Sequence, residues 1–129
     1  MKPVFHFVLQ RTKWDCGIAC LASFLCQPYE EVLRVAARMS KIEDGLFSEE
    51  MIRIAREFDT KLRRRTRKID LEEHEGILGL QNLDKSGGHS VVLASGLIFD
   101  PEERGMVWDA ETFVNHFKKV RVGDLLEEE

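Results

Sequence analysis

The chain has 129 residues, 43% of them hydrophobic, and a formal net charge of −4 from 19 basic and 23 acidic side chains. That length suits one domain spanning 1–129, and that apolar fraction excludes a globally disordered chain. The charge balance gives no basis for nucleic-acid binding, and no apolar run approaches the roughly 20 residues that cross a bilayer. The opening segment contains Pro3 and His6 and soon meets Gln10 and Arg11, which does not fit a signal peptide, so the expected location is cytoplasmic.

Residues 3–9 read as a short extended segment rich in Val and Phe. Asp15 stands where a helix N-cap belongs, ahead of a run from Cys16 to Leu25 that is apolar nearly all round. That run is expected to be a buried central helix, ended by Gln27-Pro28 because the residue before proline avoids the helical region. A second helix is expected from Pro28 to Met39, with Val32, Val35, Ala36 and Met39 at helical spacing. Ser48 is expected to cap a third, from Glu49 to Phe58, whose apolar face is Met51, Ile52, Ile54, Ala55 and Phe58.

The chain changes character after Asp59. Residues 61–68 carry six basic side chains in eight positions, and Leu62 alternating with Arg63 and Arg65 fits an exposed strand. The acids at 70–75 would balance this charge; the alternative is an arginine cluster that binds an acidic partner or substrate. Three strands are then expected, at Ile77 to Leu83, Ser90 to Ala94 and Leu97 to Phe99, the last two joined in a tight hairpin by Ser95-Gly96. Ala110 to Lys119 suggests a final helix, and Glu127 to Glu129 a frayed tail. Helices followed by antiparallel strands make an α+β layout.

The chemistry concentrates at few positions. The three cysteines, Cys16, Cys20 and Cys26, are odd in number and clustered, which argues against a disulfide framework, and C-x3-C-x5-C without a following histidine does not fit a zinc finger. Cys16 alone falls in the first turn of a helix, where free N–H groups and the helix dipole favour a thiolate. Gly17 beside it removes a side chain where a substrate backbone would pass. Cys20 and Cys26 read as small packing residues.

A thiolate needs a base, and His89 has the right context among His6, His74, His89 and His116: it follows Gly87-Gly88 and opens a strand beside a loop. Asp100 closes the next strand ahead of Pro101. Antiparallel pairing of 89–94 with 96–100 then makes His89 and Asp100 neighbours at one edge, with Asp100 free to orient the imidazole. The Cys16 N–H can serve as one oxyanion donor, and a side-chain amide as another. Trp14, two residues before Cys16, either walls a substrate cleft or packs at the helix entrance.

The stretch Gln10-Arg11-Thr12-Lys13-Trp14-Asp15-Cys16-Gly17-Ile18-Ala19-Cys20-Leu21 closely resembles the active-site motif of cysteine peptidase family 39, the papain-like domains that remove leader peptides after double glycine in bacteriocin-exporting transporters. Gly88-His89-Ser90-Val91-Val92-Leu93 resembles that family's histidine motif, and Ile98-Phe99-Asp100-Pro101 its Asp-Pro motif. The resemblance implies a papain-like α+β fold, a central Cys-bearing helix packed on an antiparallel sheet. It implies that Cys16 is the nucleophile, His89 the general base and acid, Asp100 the orienter and Gln10 the oxyanion donor, with Trp14, Gly17 and Gly88 lining the substrate. No cofactor or metal is implied. The expected partners are a peptide or protein substrate and an ABC transporter. With no spanning segment and no Walker motif, the chain reads as a stand-alone member. A related acyl-transfer enzyme (an amidase or transglutaminase-like enzyme) and a catalytically silent peptide-binding domain of the same fold are the alternatives.

Overall fold

The computed structural model describes residues 7–82, 88–102, 107–116 and 120–129. Leu83, the turn at 83–87, the start of the N-terminal segment with His6, and the last residues of the expected final helix lie outside them. Three α-helices come first: α1 (Cys16–Leu25), α2 (Tyr29–Met39) and α3 (Ser48–Arg56), with a short 3-10 turn at Ile42–Asp44. Then follow β1 (Leu62–Arg65), β2 (Gly76–Asn82), β3 (Gly88–Ala94), β4 (Leu97–Phe99), β5 (Val107–Asp109), α4 (Ala110–His116) and β6 (Val120–Glu128). The strands form one sheet in the order β1-β6-β2-β3-β4-β5, with antiparallel neighbours throughout. The α+β expectation and the first three helices are therefore present as read.

The helix α1 is buried from Gly17 to Phe24. It ends on Cys26, which adopts the left-handed conformation (φ 55°) that closes a helix by returning its N–H to the last carbonyls. One face of the sheet, through Ile77, Val92 and Leu126, packs on α1, α2 and α3 by way of Ile18, Leu21, Phe24, Val32, Val35 and Ile54. The other face, through Leu78, Leu80, Val91, Leu93, Ile98 and Leu125, packs on Ala110 and Phe113 of α4.

The hairpin forms as its sequence dictates. Ser95 and Gly96 both take positive φ (52° and 75°), and Ala94 pairs with Leu97, Leu93 with Ile98 and Val92 with Phe99. Two successive positive φ values match the right-handed twist of the flanking strands.

Four expectations are corrected. Residues 7–9 are not part of a strand; Val8 instead donates its N–H to Ser23 Oγ on α1 at 2.8 Å. Ser48 does not cap α3. It is that helix's first residue, and its hydroxyl donates to Asp124 Oδ2 at 2.6 Å, while Phe47 holds the cap position and donates its N–H to Glu50 Oε1. The tail is not frayed: β6 lies between β1 and β2, with Leu125 and Leu126 fully buried. Gly79 makes this possible on the helix side. A Cβ there would collide with the Asp124 carboxylate, which lies over it and also accepts from Arg64 Nε at 2.7 Å. The acids that meet Arg63 and Arg65 are not those at 70–75 either; both guanidiniums bond Glu127 Oε1, at 3.0 and 2.9 Å.

Leu126→Ala is expected to destabilise the protein by about 2–5 kcal/mol, the usual cost of emptying a core leucine site. Urea denaturation reads this directly; a change within about 0.5 kcal/mol, typical of a surface residue, would contradict the placement of β6.

Candidate active site

The segment between Gln10 and Cys16 has no regular structure, yet it is tightly held. The cause is Asp15. It occupies the N-cap position of α1 but does not cap that helix with its side chain. The carboxylate turns back instead and accepts from Arg11 N–H (2.8 Å), Thr12 N–H (2.9 Å), the Thr12 hydroxyl (2.9 Å) and the Tyr29 hydroxyl at the start of α2. It is fully buried. Burial alone would raise its pKa, but Tyr29, Arg11 and Thr12 together hold it below the ordinary carboxylate value. The Arg11 guanidinium stacks 4.0 Å over the Tyr29 ring and reaches Glu30 at 2.8 Å, which seals the loop from outside.

Cys16 opens α1 directly after this knot and is only partly exposed. Across the cleft, β3 and β4 supply the rest. Extending the hairpin register past Val92 and Phe99 sets Asp100 opposite Val91 and diagonal to His89. The His89 Nε2 lies 2.7 Å from Asp100 Oδ1, and the Glu102 N–H donates to the same oxygen at 3.1 Å. That leaves Nδ1 without a claim from Asp100, and Cys16 is near enough to His89 to act on its charge. Burial works against charging the imidazole, but Asp100 and the Cys16 sulfur raise its pKa to about 10. For Cys16, burial works against the thiolate, and His89 and then Ser90 outweigh it, so the thiol pKa is lowered. The two shifts are opposite in direction because each group favours the charged form of the other.

Cys20 lies one turn along α1 and behaves oppositely. It is fully buried, and burial, with Cys16 and Asp100 nearby, pushes its thiol well up. The contrast between the two thiols comes from position alone.

Gln10 is drawn to this group through its backbone: its N–H donates to Pro101 O at 2.6 Å, beside Asp100. Its Nε2 donates one hydrogen to Thr12 O at 2.8 Å, and its Oε1 is buried without a donor. Trp14 is half-buried and packs against the helical side of the core. Gly17 is buried, and the space for a Cβ there is bounded by Leu46 and Met51, so its small size serves the packing of α1 on α3. Gly88 is exposed, and a Cβ there would come within 2.8 Å of the Leu80 carbonyl, so β2 requires glycine at the residue before His89. His74 takes the Asp70 N–H on Nδ1 in an exposed turn, and His116 ends α4.

Among the described residues, His89, Asp100 and Glu102 present ligand atoms within 4.8 Å of one another. Two of those atoms already hydrogen-bond each other, and Glu102 lies 3.9 Å from His89 Nε2 with its side chain mostly in solvent, so the cluster is the histidine's own surroundings. Sequence reasoning missed Tyr29 and Ser90. Tyr29 lies far along the chain from the motif it supports. Ser90 shares the helix-facing side of β3 with Val92, and nothing in its residue type or local pattern singles it out.

The fold is papain-like: a central helix that begins on cysteine, packed on an antiparallel sheet that carries histidine and aspartate at one end. Two crystal structures share it. One is a double-glycine motif protease from an AMS/PCAT transporter in complex with its leader peptide, with a TM-score of 0.61 and 19% identity over 97% of this chain and 92% of that one. The other is the peptidase domain of Streptococcus ComA, a bifunctional ABC transporter involved in quorum sensing, with a TM-score of 0.58 and 14% identity over 96% of this chain and 100% of that one. No protein-family model and no curated protein sequence matches the chain.

Asp15→Ala leaves four donors, from Arg11, Thr12 and Tyr29, without their acceptor, and we expect a loss of about 3 kcal/mol or more. Because the folded-state pKa of Asp15 is lowered, its contribution is full above the ordinary carboxylate range and disappears as pH falls through the folded value. Urea midpoints of the two proteins should therefore converge in acid; a pH-independent difference would contradict a buried carboxylate anion.

Proposed function

We propose that this protein is a cysteine peptidase that cleaves peptides after a double glycine. The observation that carries this reading is the chain of contacts from Cys16 through His89 to Asp100, with the imidazole pKa raised to about 10 and the thiol pKa lowered. Such a pair favours the thiolate–imidazolium form that a cysteine nucleophile needs. The substrate class is supported by the double-glycine motif protease that shares the fold.

The Cys16 thiolate attacks the scissile carbonyl. The oxyanion that forms is held by the Cys16 N–H and by the Gln10 Nε2 hydrogen that Thr12 does not use. His89 then gives its proton to the leaving amine, and Asp100 keeps the ring oriented throughout. Water, activated by His89, releases the acyl group and restores the thiol. Trp14 and Gly88 flank this centre in sequence and line the substrate. No cofactor enters the cycle. Of the solved structures named above, one comes from an AMS/PCAT transporter and the other from an ABC transporter, which supports such a transporter as partner and the cytoplasm as the site of action. Among the described residues no helix is long and apolar enough to cross a membrane.

The test compares wild type with Cys16→Ala by proteome-wide labelling of new N-termini and by cleavage of a synthetic peptide containing Gly-Gly. Cys16-dependent termini following Gly-Gly are expected; their absence, with peptide binding retained, would mean a silent binding domain. Activity should rise with thiol ionisation at a pH below the ordinary thiol value and fall as His89 loses its proton near pH 10. Gln10→Ala is expected to lower kcat on the order of a hundredfold with little change in KM. An equal loss confined to KM would assign Gln10 to binding alone.

A further inference from the structure

The side-chain amide of Gln10 is held by a single bond. Its Nε2 donates to the Thr12 carbonyl at 2.8 Å, and its Oε1 is buried without a donor among the described residues. An orphaned buried acceptor costs free energy, so the amide keeps its place only while the bond to Thr12 keeps it there. That bond also decides which end of the amide is which. A carbonyl oxygen accepts an N–H and repels another oxygen, so Thr12 holds the nitrogen end of Gln10 and leaves its second hydrogen free. The Gln10 backbone is fixed separately, by its N–H on Pro101 O at 2.6 Å.

Thr12 is placed in turn by Asp15, which accepts both its N–H and its hydroxyl at 2.9 Å. Of the donors to that carboxylate among the described residues, Arg11 and Thr12 belong to the loop itself. The Tyr29 hydroxyl is the one that comes from another element, the start of α2. Donors within a loop move with the loop; a donor on a packed helix does not. Tyr29 is 5% exposed, and Val32 and Ala36 of the same helix are fully buried. The Arg11 guanidinium, paired with Glu30, lies 4.0 Å over the Tyr29 ring and clamps it from outside.

We propose that Tyr29 is a positioning residue for the Gln10 amide: its hydroxyl holds Asp15, Asp15 holds Thr12, and the Thr12 carbonyl holds the amide with one N–H free for the oxyanion. This rests on the reading of Gln10 as oxyanion donor. Tyr29→Phe keeps the ring under Arg11 and removes only the hydroxyl, and Asp15 keeps its three donors within the loop.

The experiment measures kcat and KM on the Gly-Gly peptide for the full chain as wild type, Tyr29→Phe, Gln10→Ala and the double variant, with iodoacetamide labelling of Cys16 in each. Tyr29→Phe is expected to lower kcat roughly tenfold at unchanged KM, a part of the roughly hundredfold that one oxyanion donor contributes. In the Gln10→Ala background the same substitution should cost nothing further, because the amide it positions is gone. Cys16 should label equally fast in wild type and Tyr29→Phe. Thr12→Val, which removes the hydroxyl bond to Asp15 from the loop side, should reproduce both the loss and its absence beside Gln10→Ala, and it stands in should Tyr29→Phe not fold. Full additivity in the double variant, a loss confined to KM or slowed labelling of Cys16 would make Tyr29 a general structural residue and overturn the proposal. An unchanged kcat in Tyr29→Phe while Gln10→Ala is impaired would overturn it as well. A Gln10→Ala variant with full kcat, or a wild type that leaves the peptide uncut, would instead overturn the reading on which the proposal rests.

Discussion

The buried carboxylate of Asp15 is the point on which the site depends. A desolvated anion is costly unless its lone pairs are filled, and here Arg11, Thr12 and Tyr29 fill them. That requirement removes the freedom of a loop with no secondary structure of its own. It fixes where α1 begins, and hence where Cys16 stands. It also fixes Thr12, whose carbonyl holds the Gln10 amide, and it ties the start of α2 to the start of α1 through Tyr29. One ion thereby positions groups from three segments before any substrate arrives.

The sheet solves the matching problem on the other side of the cleft. His89 and Asp100 come together because a two-residue turn sets the hairpin register. The hairpin in turn is held against the helices by a core that spans both faces of the sheet. Asp124 acts on this side as Asp15 does on the other: a nearly buried carboxylate joining elements distant in sequence, here α3, β1 and β6. Between the two, Cys16 and His89 face each other in a half-dry space. There each group lowers the cost of charging the other, and Asp100 adds to the imidazole side.

At 14% and 19% identity, shared architecture over nearly the whole chain reflects common packing solutions rather than common side chains. Fold of this kind does not by itself decide chemistry. Within this chain, the opposite pKa directions of Cys16 and Cys20 and the His89–Asp100 hydrogen bond set Cys16 apart from the buried thiol one turn along.

Local pattern alone determined the three leading helices, the Ser95-Gly96 hairpin, Cys16 at a helix start and the closeness of His89 to Asp100. Each depends on residues near one another in the chain, where periodicity, proline placement and turn chemistry operate. Only the tertiary structure decided the rest. The segment Val120–Glu128 hides its strand character behind Arg121, Asp124, Glu127 and Glu128, because the groups that neutralise Asp124 and Glu127 stand some sixty residues earlier on β1. Asp15 reads as a cap in sequence, but the donors it satisfies include Tyr29, which only the packing of α2 on α1 delivers. Local sequence thus placed Cys16 at a helix start and His89 beside Asp100, and long-range burial of charge decided how the surrounding segments are held.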